Sequence, residues 1–141
     1  MSWTFTLPFA TPSLNEIQGQ HWSYARREKD SLRWSLASAL NHIPAIPKAA
    51  GRRRLTIVRH GRGRLDQDNL AGGVKWLVDA IKERRLILDD NPEECELVCQ
   101  QVVSRTADPH TILTLEDDPT DTRNFACHED YVAANFRREA S

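Results

Sequence analysis

Residues 65–79 read Leu65-Asp66-Gln67-Asp68-Asn69-Leu70-Ala71-Gly72-Gly73-Val74-Lys75-Trp76-Leu77-Val78-Asp79, and their reading decides how the chain is organised. Just upstream, Arg54 to His60 carries the β-branched run Thr56-Ile57-Val58 and predicts a strand. A Gly61-Arg62-Gly63-Arg64 turn follows. Leu70, Val74, Leu77, Val78 and Ile81 then recur at helical spacing and predict the buried stripe of a helix running to about Arg85. A strand that turns into a helix places Asp66 and Asp68 at the junction. In extended backbone, residues two apart project to the same side. Two carboxylates on one side make a hard-oxygen site for Mg2+ or Mn2+.

Working outward, Trp3 to Leu7 alternates apolar and hydroxyl residues and reads as a half-buried strand that Pro8 and Pro12 stop. Between Gln20 and Asn41, the residues Trp22, Ala25, Leu32, Leu36, Ala39 and Leu40 mark a long amphipathic helix that also bears Arg26, Arg27, Lys29 and Arg33. Helical placement favours the core over a base-stacking platform for Trp22, Trp34 and Trp76. Glu96 to Arg105 and Thr111 to Leu115 read as strands joined through Asp108-Pro109, which predicts a hairpin. The order is β-α-β-α-β-β. The expected fold is α/β in the α+β sense, a small mixed sheet of about four strands with two main helices packed on it.

At 141 residues, with 40% hydrophobic and 28% charged, the chain has the size and composition of one globular domain and excludes disorder. The net charge of −1 hides a division. Residues 1–115 hold 16 Lys and Arg against 13 Asp and Glu, whereas residues 116–141 hold 3 against 7. The expected organisation is therefore a folded unit over 1–115 and an acidic polar tail over 116–141. No apolar run reaches the roughly 18 residues of a membrane span. Met1 to Pro12 lacks a basic segment followed by an apolar stretch. Cys95, Cys99 and Cys127 cannot all pair within one chain, so a reducing cytoplasm is the expected location.

The chemistry suggested by 65–79 extends to Asp89 and Asp90. Gly72 and Gly73 each cost about 1 kcal/mol relative to alanine inside a helix, which implies that something approaches the backbone closely there. Lys75 lies two helical turns beyond Asp68 and points to the same side if the helix begins by Asn69. If the sheet returns Asp89 and Asp90 to Asp66 and Asp68, the carboxylates, a divalent ion and a lysine suit phosphodiester hydrolysis. Ordinary structural roles fit each piece as well: Asp68 or Asn69 as a helix cap, Lys75 with Asp79 as an exposed pair, Asp89 to Pro92 as a turn.

Taken together, these residues resemble the RusA-type Holliday junction resolvases, small endodeoxyribonucleases of bacteria and phages. The resemblance rests on Asp66-x-Asp68-Asn69, a lysine (Lys75) on the following helix, Asp79 four residues later, Asp89-Asp90, and the early Pro12-Ser13-Leu14-Asn15 followed by a basic helix. It spans roughly residues 3–115. Lys75 departs from the pattern, following Asp68 by seven residues rather than four, as if Gly72-Gly73-Val74 were inserted. The resemblance implies a metal-dependent endonuclease that makes paired cuts in a four-way DNA junction as a homodimer. In it, Asp66, Asp68, Asp89 and Asp90 hold Mg2+ or Mn2+, and Lys75 supports the scissile phosphate. A two-fold dimer matches the symmetry of such a junction.

From Lys48 to Arg64 the chain carries Lys48, Arg52, Arg53, Arg54, Arg59, Arg62 and Arg64 and no acid. Phosphate contacts supply most sequence-independent affinity for nucleic acid. The expected DNA-binding set is therefore Arg52, Arg53, Arg54, Arg59, Arg62 and Arg64, with Asn15 and Asn69 positioning the strand; a solvated basic face or turn-stabilising asparagines also fit. Two other readings stand beside the nuclease: a non-catalytic branched-DNA-binding protein of the same fold, and an interaction module whose acidic run, Glu116 to Asp121, engages a basic partner or masks its own basic surface.

Overall fold

The computed structural model describes residues 1–125. Cys127 and most of the expected tail lie outside them. Strand β1 spans Ser2–Leu7, β2 Arg53–Gly61, β3 Cys95–Val103 and β4 His110–Asp117. Helices are α1 Leu14–Ile17, α2 Trp22–Asn41, α3 Gln67–Gly73 and α4 Lys75–Glu83. The strands form one mixed sheet in the order β1-β4-β2-β3, so the expected α+β architecture stands.

The expected β3–β4 hairpin does not form. β2 lies between them, parallel to β3 from Arg53↔Cys95 to Gly61↔Val103 and antiparallel to β4 from Arg53↔Asp117 to His60↔His110. Residues 104–109 step across the end of β2, a gap of two strand spacings, or about 10 Å, which six residues cover easily. The long connection gives β2 partners on both edges and buries Leu55 and Ile57 at the centre of the sheet.

One sheet face carries the core. Phe5, Leu7, Leu55, Ile57, Leu113 and Leu115 pack against Leu32 and Leu36 of α2 and against Val74, Leu77, Val78 and Ile81. The predicted helix stripe is thus buried, but as two helices. The chain breaks at Val74 (φ −91°, ψ 0°) between α3 and α4. The break follows Gly73, where a Cβ would lie 1.8 Å from the Pro12 carbonyl oxygen; at Gly72 it would lie 2.7 Å from Leu14 Cδ1. The close approach read from these glycines is real, and the α1 segment is what approaches.

Trp22 and Trp34 are corrected from core to surface, at 70% and 78% exposure. Trp34 lies two residues from both Leu32 and Leu36, a rotation of roughly 200° about the helix axis, so it faces away from the sheet. Trp76 is half-buried against the core.

Folded structure continues past Leu115. β4 runs to Asp117, and the chain then turns through a short 3-10 helix, Thr122–Asn124. Its acids hold the start of β2. Arg53, 2% exposed, donates Nε to Asp117 Oδ1 (2.8 Å) and Nη1 to the Leu86 carbonyl (2.9 Å), with its guanidinium 4.8 Å from the Trp3 ring centre. Arg52 Nη1 pairs with Asp118 (2.9 Å), and its backbone N–H donates to Asp121 (2.8 Å).

Gly73→Ala should destabilise the protein by about 3 kcal/mol, because a backbone carbonyl cannot move aside as a flexible side chain can. Gly63→Ala, with open space around its Cβ, is the matched control; denaturant unfolding of the two compares them. Asp117→Ala leaves Arg53 buried without its carboxylate. Because Asp117 keeps some contact with water, the expected loss is about 2–3 kcal/mol, seen as a melting temperature several degrees lower.

Candidate functional site

Asp66 caps α3. Its Oδ1 accepts from the Asn69 backbone N–H (2.8 Å) and its Oδ2 from Asn69 Nδ2 (3.0 Å). These bonds, led by the one from the backbone N–H, hold the Asp66 carboxyl below the usual carboxylate range. Asn69 Oδ1 in turn accepts from the Asn15 backbone N–H at 3.2 Å. The Pro12-Ser13-Leu14-Asn15 and Asp66-Gln67-Asp68-Asn69 segments therefore meet in space through Asn69. The helix cap is Asp66, whereas the sequence offered Asp68 or Asn69. Asp68 is exposed, and among the described residues its carboxylate has no ion-pair partner.

The corner containing Asp66 is anchored to the C-terminal end of the parallel ladder. Leu65 N–H donates to Gln101 Oε1 (2.9 Å), and Gln101 Nε2 donates to the Leu65 carbonyl (2.6 Å). Arg62 and Arg64 are exposed on the approach to it and form no ion pair among the described residues. Lys75 is exposed at the start of α4 and does not pair with Asp79.

Asp89 and Asp90 stand elsewhere. They occupy the turn that leads into Cys95 at the opposite end of β3, and both reach Lys82 of α4, Asp89 at 2.9 Å and Asp90 at 3.8 Å. From Gln101 back to Cys95 is six residues of strand, or about 20 Å. The expected convergence of Asp66, Asp68, Asp89 and Asp90 on one ion is therefore corrected for a single chain. Among the described residues, no three His, Cys, Asp or Glu side chains gather closely enough to hold a metal ion. The cause is topological. A parallel strand pair needs a crossover that leaves at one end and re-enters at the other, and the acid pairs mark those two ends.

The basic run is also divided. Arg52 and Arg53 are engaged as described, and Arg54 pairs with Glu96 (2.9 Å) and Glu116 (3.6 Å). Arg59 donates to the carbonyls of Thr11 (2.8 Å) and Gly63 (3.0 Å), bracing the loop beneath Asp66. Of the expected DNA-binding arginines, Arg62 and Arg64 alone keep both exposure and an unpaired charge among the described residues. The acidic run from Glu116 to Asp121 pairs with its own chain's arginines, as the expectation that it masks its own basic surface has it; which acid meets which arginine is what spacing in sequence does not reveal.

Two features escaped sequence reading. His60 and His110, paired across β2 and β4, stack with ring centres 4.2 Å apart on the sheet face away from the helices. Burial, then the neighbouring His110, lowers the His60 pKa. Both histidines fall at strand ends, where a pairing partner is invisible until the register is known. The second is a surface cavity of about 410 Å3 between α2 and α4, lined by Lys29, Arg33, Trp76, Asp79, Lys82 and Glu83. Its charges are largely self-compensated: Arg33 makes paired bonds to Glu83 (3.0 and 3.1 Å), and Lys29 lies over the Trp76 ring. Cys95, buried under the sheet, has its thiol pushed up to about 11 by desolvation and is chemically quiet.

Compared with protein-family models and with curated proteins, the chain matches none.

Hydrogen bonding to Lys82, and then to the Asp90 backbone, lowers the Asp89 pKa to about 2. Depression below the unfolded value means that this pairing stabilises the fold above the ordinary carboxylate range and is lost as pH falls toward 2. Carboxyl-carbon NMR should therefore show Asp89 titrating near 2, with Lys82→Met returning it toward 3.8. An unchanged midpoint would remove Lys82 as the cause.

Proposed function

We propose that the chain is a divalent-metal-dependent endodeoxyribonuclease of the RusA type that cuts branched DNA, four-way junctions foremost, with Mg2+ or Mn2+ as cofactor and two copies acting together. The observation that carries this reading is the Asn15–Asn69–Asp66 chain of hydrogen bonds. It joins the two motifs on which the resemblance rests, 54 positions apart in sequence. It also leaves Asp68 exposed beside the exposed cations Arg62 and Arg64. Phosphate oxygens suit these arginines, and the carboxylates keep the charge that a divalent ion requires.

Among the described residues, one chain does not assemble the ligand set. On this reading Asp66 and Asp68 of one copy act with Asp89 and Asp90 of another, and the homodimer is a condition of activity. Lys75, exposed and unpaired, is available to a bound phosphate but begins a new helix. The displaced lysine and divided carboxylates favour a second reading, a branched-DNA-binding protein of the same fold without turnover.

A labelled synthetic four-way junction, incubated with Mg2+, Mn2+ or EDTA beside linear duplex, separates the two. Symmetric metal-dependent nicks are expected, together with loss of cutting in Asp68→Asn and in Asp90→Asn while junction binding persists. An equimolar mixture of those variants should recover about a quarter of wild-type activity, because one of the two sites in each mixed dimer is intact and half the dimers are mixed. Salt-sensitive binding with no product in either metal would establish the non-catalytic reading instead.

A further inference from the structure

A second surface cavity, of about 280 Å3, lies beside the one between α2 and α4, and Trp76 lines both. Four parts of the chain build its walls: Phe9 from the segment after β1, Glu16 from α1, Tyr24 and Glu28 from α2, and Trp76 from α4. Tyr24 and Glu28 stand about one helical turn apart and so project to the same side of α2. Leu32, one turn further on and buried, belongs to the same wall.

The charge of this cavity is one-sided. Among the described residues that line it, the charged ones are Glu16 and Glu28, and neither forms an ion pair there. The neighbouring cavity instead sets Lys29, Arg33 and Lys82 against Asp79 and Glu83. Lys29 follows Glu28 in sequence, yet its ammonium lies 5.4 Å from the centre of the Trp76 ring and it lines that other cavity.

Three aromatic side chains and two carboxylates around one space are complementary to an organic cation. A π face attracts positive charge and covers hydrocarbon at the same time. An anion would meet carboxylates, and a neutral ligand would gain nothing from them. A metal ion is a poor fit, because among the described residues no three acidic, His or Cys side chains gather to hold one. Ligand sites commonly start at about 300 Å3, so this volume suits a short chain.

We propose that the cavity binds an aliphatic amine cation, its hydrocarbon against Phe9, Tyr24 and Trp76 and its positive charge toward Glu16 and Glu28. A free diamine and the side chain of a lysine on another protein share this chemistry. None of the five residues has a role in the nuclease reading, so the site stands or falls independently of it. Each contact is modest, because the glutamates and Tyr24 keep contact with water. Affinity comes from their sum.

NMR titration of the full chain at low salt tests the site, with putrescine (a four-carbon diamine), Nα-acetyl-lysine amide and the uncharged butanediol of the same chain length as probes. An amine should produce saturable shifts at the Trp76 indole N–H and the Glu28 amide, and the diol none. Tyr24→Leu and Glu28→Gln, both at exposed positions, should each weaken amine binding about threefold, and together about tenfold. Glu93→Gln removes an equal exposed charge in the turn before β3 and should leave binding unchanged. Stronger binding of putrescine supports a free diamine as the ligand; stronger binding of the acetyl-lysine amide supports a lysine of another protein. No saturable shift with either amine overturns the site. So does a diol that binds as well as the diamine, or a loss in Glu93→Gln that equals the loss in Glu28→Gln.

Discussion

The separation of the two acid pairs, Asp66 with Asp68 and Asp89 with Asp90, follows from the parallel pairing of β2 with β3. Parallel neighbours cannot be joined by a tight turn. The chain leaves β2 beyond Gly61, travels back along the sheet as α3 and α4, and re-enters at Cys95. Asp66 and Asp68 fall where the crossover begins, and Asp89 and Asp90 where it ends. No rotamer change moves a carboxylate along the length of a strand, so the separation belongs to the fold.

The same crossover explains the glycines. α3 must start close to the segment that follows β1, because β1 and β2, on either side of β4, finish at the same end of the sheet: Leu7 and Arg59 both lie opposite Thr111 of β4. Gly73 permits the Pro12 carbonyl to press against the helix, and Asn69 ties Asn15 to Asp66. Packing and the candidate site are one construction here. The break at Val74 lets the apolar stripe of α4 remain on the sheet while Lys75 stays outside.

At the other end of β2 the arginines serve cohesion. Arg53 is inside the protein and satisfied by Asp117 and the Leu86 carbonyl; Arg52 and Arg54 meet acids that lie more than 40 residues away in the chain. A buried guanidinium is tolerated only with such partners. Within Arg52 to Arg64, the exposed cations without an ion pair among the described residues are therefore Arg62 and Arg64 alone.

Local pattern was enough for the four strands and for α2, though not for α1 or for the break at Val74 that divides α3 from α4. Alternation in Trp3–Leu7, the β-branched centre of β2 and the 3.6-residue stripe from Leu70 to Ile81 each report a backbone repeat that the side chains themselves impose, and the close approach at Gly72-Gly73 is a local steric property too. Strand neighbours, ion pairs and the distance between Asp66 and Asp89 were out of reach. They depend on which strand enters the middle of the sheet, and inserting β2 between β3 and β4 is favoured by burial of Leu55 and Ile57 against partners from every part of the chain. Trp34 was misplaced for a related reason: tryptophan is apolar enough for a core, but only the direction of Leu32 and Leu36 toward the sheet decides which side of α2 becomes the inside. Residue chemistry by itself determined the repeat of each element and the kinds of group on offer. The tertiary structure alone decided which of those groups meet, because side-chain spacing acts over a few residues whereas hydrogen-bonded strand pairing and core burial act across the whole chain.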